Sequence, residues 1–240
     1  MINPRSFEAT NAYIVSELKR TAETNLNLRK KISNPFITIS RQAGAGGSIL
    51  GEKLIDFLNR NRISQSRYWT LFDKNLIALV IEEHHMPDEF KHYIGEKKFS
   101  ELQSVFEQIC GLHPAISKLM TKTCRTILNL AAIGYVVLIG RGSNILTHSL
   151  PGGFHVRLIA DMKVRLYNIE QNYNLDKKEA QKFLEQEDIN RKEYVKKLFN
   201  KDIDDNLMYD MIINTGKVPY ETAAELIGTR VLKYEKAHAD

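Results

Sequence analysis

Gly44, Gly46 and Gly47 fall within four positions, shortly after the apolar run Phe36–Ile39 and directly before a hydroxyl side chain, Ser48. That order suits anion chemistry. Glycines admit positive φ and let backbone N–H groups converge on an oxyanion, while a helix over 48–60 would aim its positive dipole end at the same point. The common phosphate-binding pattern, G-x-x-x-x-G-K-[ST], adds a lysine for the β- and γ-phosphates and a hydroxyl for Mg²⁺. Here Ser48 stands at the hydroxyl position and is the candidate metal ligand, Gly47 stands where the lysine belongs, and Arg41 where the first glycine belongs. Arg41 is therefore the leading candidate to supply the missing charge. A tight strand-to-helix turn with a glycine cap explains the same residues without any ligand, and the loop alone leaves both readings open.

Other charged residues fall where chemistry is plausible, each with a plainer alternative. Arg141 lies between Gly140 and Gly142, which allow close backbone approach, and its guanidinium fork can grip a phosphate at two oxygens. Arg157 interrupts an apolar run, so it is either half of a buried ion pair or a group facing a cleft. Asp188 and Arg191 are spaced i, i+3 and share a helix face, where an intrahelical ion pair is the simple reading. Asp73 can cap a helix beginning at Lys74. Asn214 and Thr215 read equally as a turn or as the border of a nucleotide base. His84 and His85 are adjacent on a helix, face different directions, and define no metal site.

These groups need a scaffold, and the pattern of apolar runs supplies one. Short strands are expected at 36–39, 68–72, 135–139, 154–160 and 208–214, and helices at 48–60, 74–83, 99–110, 114–132, 143–149, 175–199 and 220–236. Strands alternating with helices predict an α/β fold with a parallel sheet of about five strands covered on both faces. Catalytic groups should then gather at the strand ends. Residues 1–34 read as an N-terminal helical extension in which Ile14, Val15 and Leu18 form a stripe that packs on the body or on a second subunit, so a homo-oligomer is an expectation. The remainder, 35–240, reads as one domain.

Bulk properties exclude several classes. A hydrophobic content of 43% indicates a packed core rather than disorder, no apolar run approaches the roughly 20 residues that span a bilayer, and the N-terminus lacks a signal peptide's apolar segment. A cytoplasmic protein without membrane contact is expected. Cys110 and Cys124 are too few for a metal-ligand set and read as buried thiols. The net charge of +5 is spread among acids, which argues against nucleic-acid binding by a broad patch.

The loop Ser40–Gly47 resembles that of the cytidylate kinase-like family, relatives of cytidylate kinase whose loop also carries glycine for lysine. Further stretches agree in order: Leu71–Lys74, Val137–Gly142, His155–Ala160, Asp188-x-x-Arg191-x-x-Tyr194 and Tyr209–Thr215, together spanning about residues 36 to 230. The resemblance implies a P-loop kinase three-layer sandwich with a helical acceptor-binding insertion at about 84–134 and a helical lid at about 175–200. It implies ATP and Mg²⁺ as cofactors and phosphorylation of a nucleoside monophosphate, with CMP or dCMP first. Another small metabolite as acceptor, or a nucleotide-binding regulator without turnover, are the alternatives. In this picture Gly44, Ala45, Gly46, Gly47, Ser48 and Ile49 cradle the donor phosphates. Arg41, Arg141, Arg191 and Asp73 are catalytic, while Asp73, Arg141, Asp188 and Arg191 bind the acceptor. Two departures stand out: the aspartate that follows the Gly-Arg pair is Gly142, and the first lid arginine is Leu184.

Overall fold

The computed structural model describes residues 34–63, 67–73 and 118–238. The N-terminal extension, the helix expected at 74–83 and residues 84–117 of the insertion lie outside them. Five parallel strands form the sheet: β1 (Phe36–Arg41), β2 (Thr70–Phe72), β3 (Val136–Ile139), β4 (Gly153–Ile159) and β5 (Met211–Asn214), in the order β2-β3-β1-β4-β5. The central strand β1 has neighbours on both edges and helices on both faces, which is why Phe36 to Ser40 are all buried, Thr38 and Ser40 included.

Each face has its own helices. Ile37, Ile39, Val137, Ile139, Val156 and Leu158 point to one side, against α1 (Gly47–Arg60) and α6 (Tyr220–Ala237), whose Leu50, Leu54, Ala224 and Ile227 complete that core. These two helices approach closely because Gly228 faces Phe57, and a Cβ there would run into the ring. Phe36, Val136 and Leu138 point to the other side, against α2 (Lys118–Ile133), α3 (Ser143–Leu146) and the C-terminal end of α5 (Lys177–Phe199). The three-layer α/β sandwich is therefore present. The described end of the 84–134 segment, α2, is a core helix with Cys124, Ile127 and Leu128 buried.

Three local differences from the sequence reading have physical causes. A helix absent from that reading, α4 (Met162–Tyr173), buries Arg165 and Ile169, so its inner face carries a guanidinium and shows no apolar stripe. The last strand starts at Met211 rather than at 208, because Asp205 accepts the Leu207 N–H and holds Asn206–Met208 in a 3₁₀ turn. β1 runs on to Arg41, since Ser40 and Arg41 still pair with Arg157 and Leu158 of β4. The charged helix begins where Asp176 and Glu179 form a reciprocal capping box.

Candidate active site

The glycine loop joins β1 to α1 at the carboxyl end of the central strand. Gly44 and Gly46 both adopt left-handed φ, 73° and 79°. A Cβ on Gly46 would enter the Tyr220 phenol ring. Surrounding elements hold the loop through its carbonyls: Asn168 Nδ2 donates to Gly44 O at 2.8 Å, and Thr215 Oγ1 donates to Ala45 O at 2.9 Å. The Ala43 N–H donates to Asp188 Oδ1 at 2.8 Å, and Gln42 Oε1 accepts the Ala160 N–H. With those carbonyls turned outward, the first amides of α1 at Gly47, Ser48 and Ile49 have no intrahelical partner, and the N-cap, Gly46, has no side chain to offer one. Ser48 is exposed at this mouth. The cradle and hydroxyl fit a phosphate chain with its Mg²⁺, which takes few protein ligands and is shared with phosphate oxygens.

The stem of Arg41 packs against Gly47, where a lysine would start. A Cβ on Gly47 would sit 3.1 Å from Arg41 Cγ and 3.3 Å from its Cδ, and a Cβ on Gly140 would collide with Arg41 Nη1. Its guanidinium is enclosed by protein except toward the cavity beside it. Burial and the neighbouring Arg191 depress the Arg41 pKa to about 10, Glu187 and Asp73 oppose the shift, and Arg141 adds to it. Arg141, Arg191 and Asp73 thus all lie within electrostatic reach of Arg41. Arg191 Nη1 donates to Arg41 O at 3.2 Å, and Arg191 Nη2 pairs with Glu187 at 3.1 Å.

Beside these arginines lies a cavity of about 270 Å³, lined by groups from β1, the Gly140–Gly142 turn, α3 and α5. Gly140, Arg141 and Gly142 follow one another in left-handed conformations, with φ of 77°, 56° and 69°. That geometry is uncommon for an arginine and presents its exposed side chain at the rim. A Cβ on Gly142 would run into the Phe199 ring. The place of the expected aspartate is therefore closed by packing.

Asp188 does not pair with Arg191; it bridges the Ala43 amide to Arg165 Nη1, 2.8 Å from each, and so ties α5 and α4 to the loop. The buried Arg157 pairs with the exposed carboxylate of Asp204 at 2.7 Å and donates to Ser40 Oγ at 3.0 Å. Thr215 braces the loop. Sequence reading missed Gln42, Arg165, Asn168 and Glu187, none of which carries a local signal; each acts across more than twenty residues or depends on a helix-face direction.

Comparison with known proteins narrows the reading. The model of the cytidylate kinase-like family matches residues 36–217. The chain belongs to this family. Membership places it among kinase-like phosphotransferases. A cytidylate kinase of Pyrococcus horikoshii is 28% identical over 182 residues, 75% of this chain and 80% of that one. A cytidylate kinase of Methanocaldococcus jannaschii is 27% identical over 114 residues, 47% of this chain and 64% of that one. A uronate isomerase of Corynebacterium glutamicum is 30% identical over 115 residues, of which the chain spans 22% of its length. Among solved structures, an uncharacterized protein of Eubacterium ventriosum superposes with a TM-score of 0.63 at 19% identity, covering 82% of this chain and 98% of that one, a likeness of fold. No described helix is long and apolar enough to cross a membrane.

Proposed function

We propose that this family member transfers the γ-phosphoryl group of ATP to a nucleoside monophosphate, with CMP or dCMP as the first acceptor to try, in the cytoplasm. One observation carries the reading: a partly desolvated arginine, its pKa lowered to about 10, beside a glycine cradle and two further arginines. Such a cluster is unfavourable empty and becomes favourable around phosphate, which is the arrangement phosphoryl transfer requires.

In this reading the Gly44–Gly46 turn brings the free amides of Gly47, Ser48 and Ile49 to the donor phosphates, and Ser48 would hold Mg²⁺, which would supply charge neutralisation there. An acceptor phosphate oxygen attacks the γ-phosphorus, the bond from that phosphorus to the β-γ bridging oxygen breaks, and ADP leaves. Arg41, Arg141 and Arg191 stabilise the equatorial charge, and Asp73 orients the acceptor. Asp188, proposed from the family pattern as an acceptor contact, acts here on the loop. Helix α5 serves as the lid, bringing Arg191 and excluding water.

The test is an assay of purified protein with Mg²⁺ and ATP against nucleoside monophosphates and other phosphorylated metabolites, beside Arg41→Ala and Arg141→Ala. Phosphorylation of a nucleoside monophosphate that both variants lose by about 100-fold or more supports the reading. Turnover only of a different metabolite moves the acceptor; ATP binding without any turnover overturns the enzyme.

A further inference from the structure

Asn144 is the second residue of α3 and lines the cavity beside Gly142. It is 6% exposed, and its Nδ2 is buried without a hydrogen-bond partner. An unmet donor at such a depth is unfavourable, and native structures rarely keep one without a reason. No element packing on α3 uses this amide nitrogen.

The polarity of the surrounding wall says what would satisfy it. Its carboxylate, Glu187, already accepts from Arg191, and Asn190 Oδ1 already accepts from Gln186. The Tyr194 hydroxyl is directed to Met120 Sδ and Arg141 O. Ser40 Oγ is taken by Arg157 and Tyr209. Apart from the carboxylate of Glu187, already paired with Arg191, the side-chain groups still open among the described lining residues are donors, chief among them the guanidiniums of Arg41 and Arg141 and the Asn144 Nδ2. A ligand for this wall presents oxygens and, given the two cations, carries negative charge.

We propose that Asn144 is a specificity-determining contact of the phosphoryl acceptor, donating through Nδ2 to an oxygen of the acceptor's anionic group while Arg41 and Arg141 neutralise it. This rests on the kinase reading above and refines it. The position expected to hold a carboxylate, Gly142, is closed by Phe199, and Asn144, two residues later in the cavity wall, carries an unpartnered N–H of the opposite hydrogen-bonding sense. The acceptor is thereby selected for oxygen at this point, and a ligand offering an N–H there is disfavoured.

Two variants test this. Asn144→Ala removes the donor without depriving any protein group of a partner through Nδ2, and Asn144→Asp keeps the shape while turning a donor into an anionic acceptor. The expected results are an unchanged melting temperature for Asn144→Ala, an acceptor KM raised about tenfold with the ATP KM unmoved, and a loss of about 100-fold in kcat/KM for Asn144→Asp. Inorganic phosphate gives a readout independent of turnover: protection of the wild type against thermal unfolding should need about tenfold more phosphate in Asn144→Ala. If no acceptor is phosphorylated, the kinase reading fails while the phosphate titration still decides the role of Asn144. Wild-type phosphate protection in both variants, or a large fall in the melting temperature of Asn144→Ala, would overturn the proposal, the first because the amide is only hydrated and the second because it is a packing group.

Discussion

The stem of Arg41 lies across Gly47, so that the residue preceding the loop fills the space opposite the position where a lysine is absent. The two features are one arrangement: a side chain at 47 would press on the arginine stem, which would have to give way by a few tenths of an ångström. Gly47→Lys should therefore not restore a standard loop; overpacking against Arg41 Cγ and Cδ is expected to lower stability by about 1–3 kcal/mol and to reduce rather than raise turnover. Chemical denaturation together with the kinase assay checks both halves.

Removing the arginine should have the opposite effect on stability. Because the folded-state pKa of Arg41 is depressed to about 10, its charge opposes folding at neutral pH. Arg41→Met is expected to stabilise the ligand-free protein by about 1 kcal/mol, a figure reduced from the full shift because the group still faces the cavity. The same variant should abolish thermal protection by phosphate. A variant that is less stable and still protected by phosphate would show that Arg41 is a structural residue.

Asp188 holds an otherwise unpaired, buried arginine and the first loop amide at once. Asp188→Ala should destabilise by about 3 kcal/mol, and Asp188→Asn by less, since the amide oxygen can still accept from Ala43 while the charge on Arg165 goes unmatched. Urea denaturation of the pair, with Arg165→Met added, gives the test: if Arg165→Met does not soften the effect of Asp188→Ala, the two are not coupled.

Placing at 142 the aspartate that the family resemblance leads one to expect should fail for a steric reason. Gly142→Asp would place a Cβ within the Phe199 ring and force φ of 69° on a side chain. We expect loss of at least about 2 kcal/mol, measured by thermal and urea unfolding, with partial recovery in Gly142→Asp/Phe199→Ala.

His155 makes stability depend on mildly acid pH. Buried beneath the sheet with Nδ1 2.8 Å from Thr38 Oγ1, it has its pKa lowered from 6.5 to about 4, chiefly by desolvation; Asp210 works against the shift and His148 with it. The unfolded chain binds this proton below pH 6.5 and the folded chain only near pH 4, so stability is full above pH 6.5 and falls as pH drops from 6.5 to about 4. The loss is on the order of 3 kcal/mol. Denaturation across pH 4–7 should show this slope, flattened in His155→Gln.

The glycine spacing, the apolar run before it and the alternation of strands with helices were legible because they are local: backbone freedom, β-branched burial and helical period each act over a few residues. They were enough for the sheet, the loop and the candidacy of Arg41 and Arg141, while that of Arg191 came from the family resemblance. What only the tertiary structure decided is which charges meet. A polar helix such as α4 gives no periodic signal when the residue it buries is Arg165, and neither the Asp188 bridge to Ala43, 145 residues away, nor the Phe199 ring over Gly142 can be read from spacing. Local sequence set the conformation of the loop; the chain's return through α4, α5 and β5 set its hydrogen bonds, its charge balance and the shape of the cavity beside it.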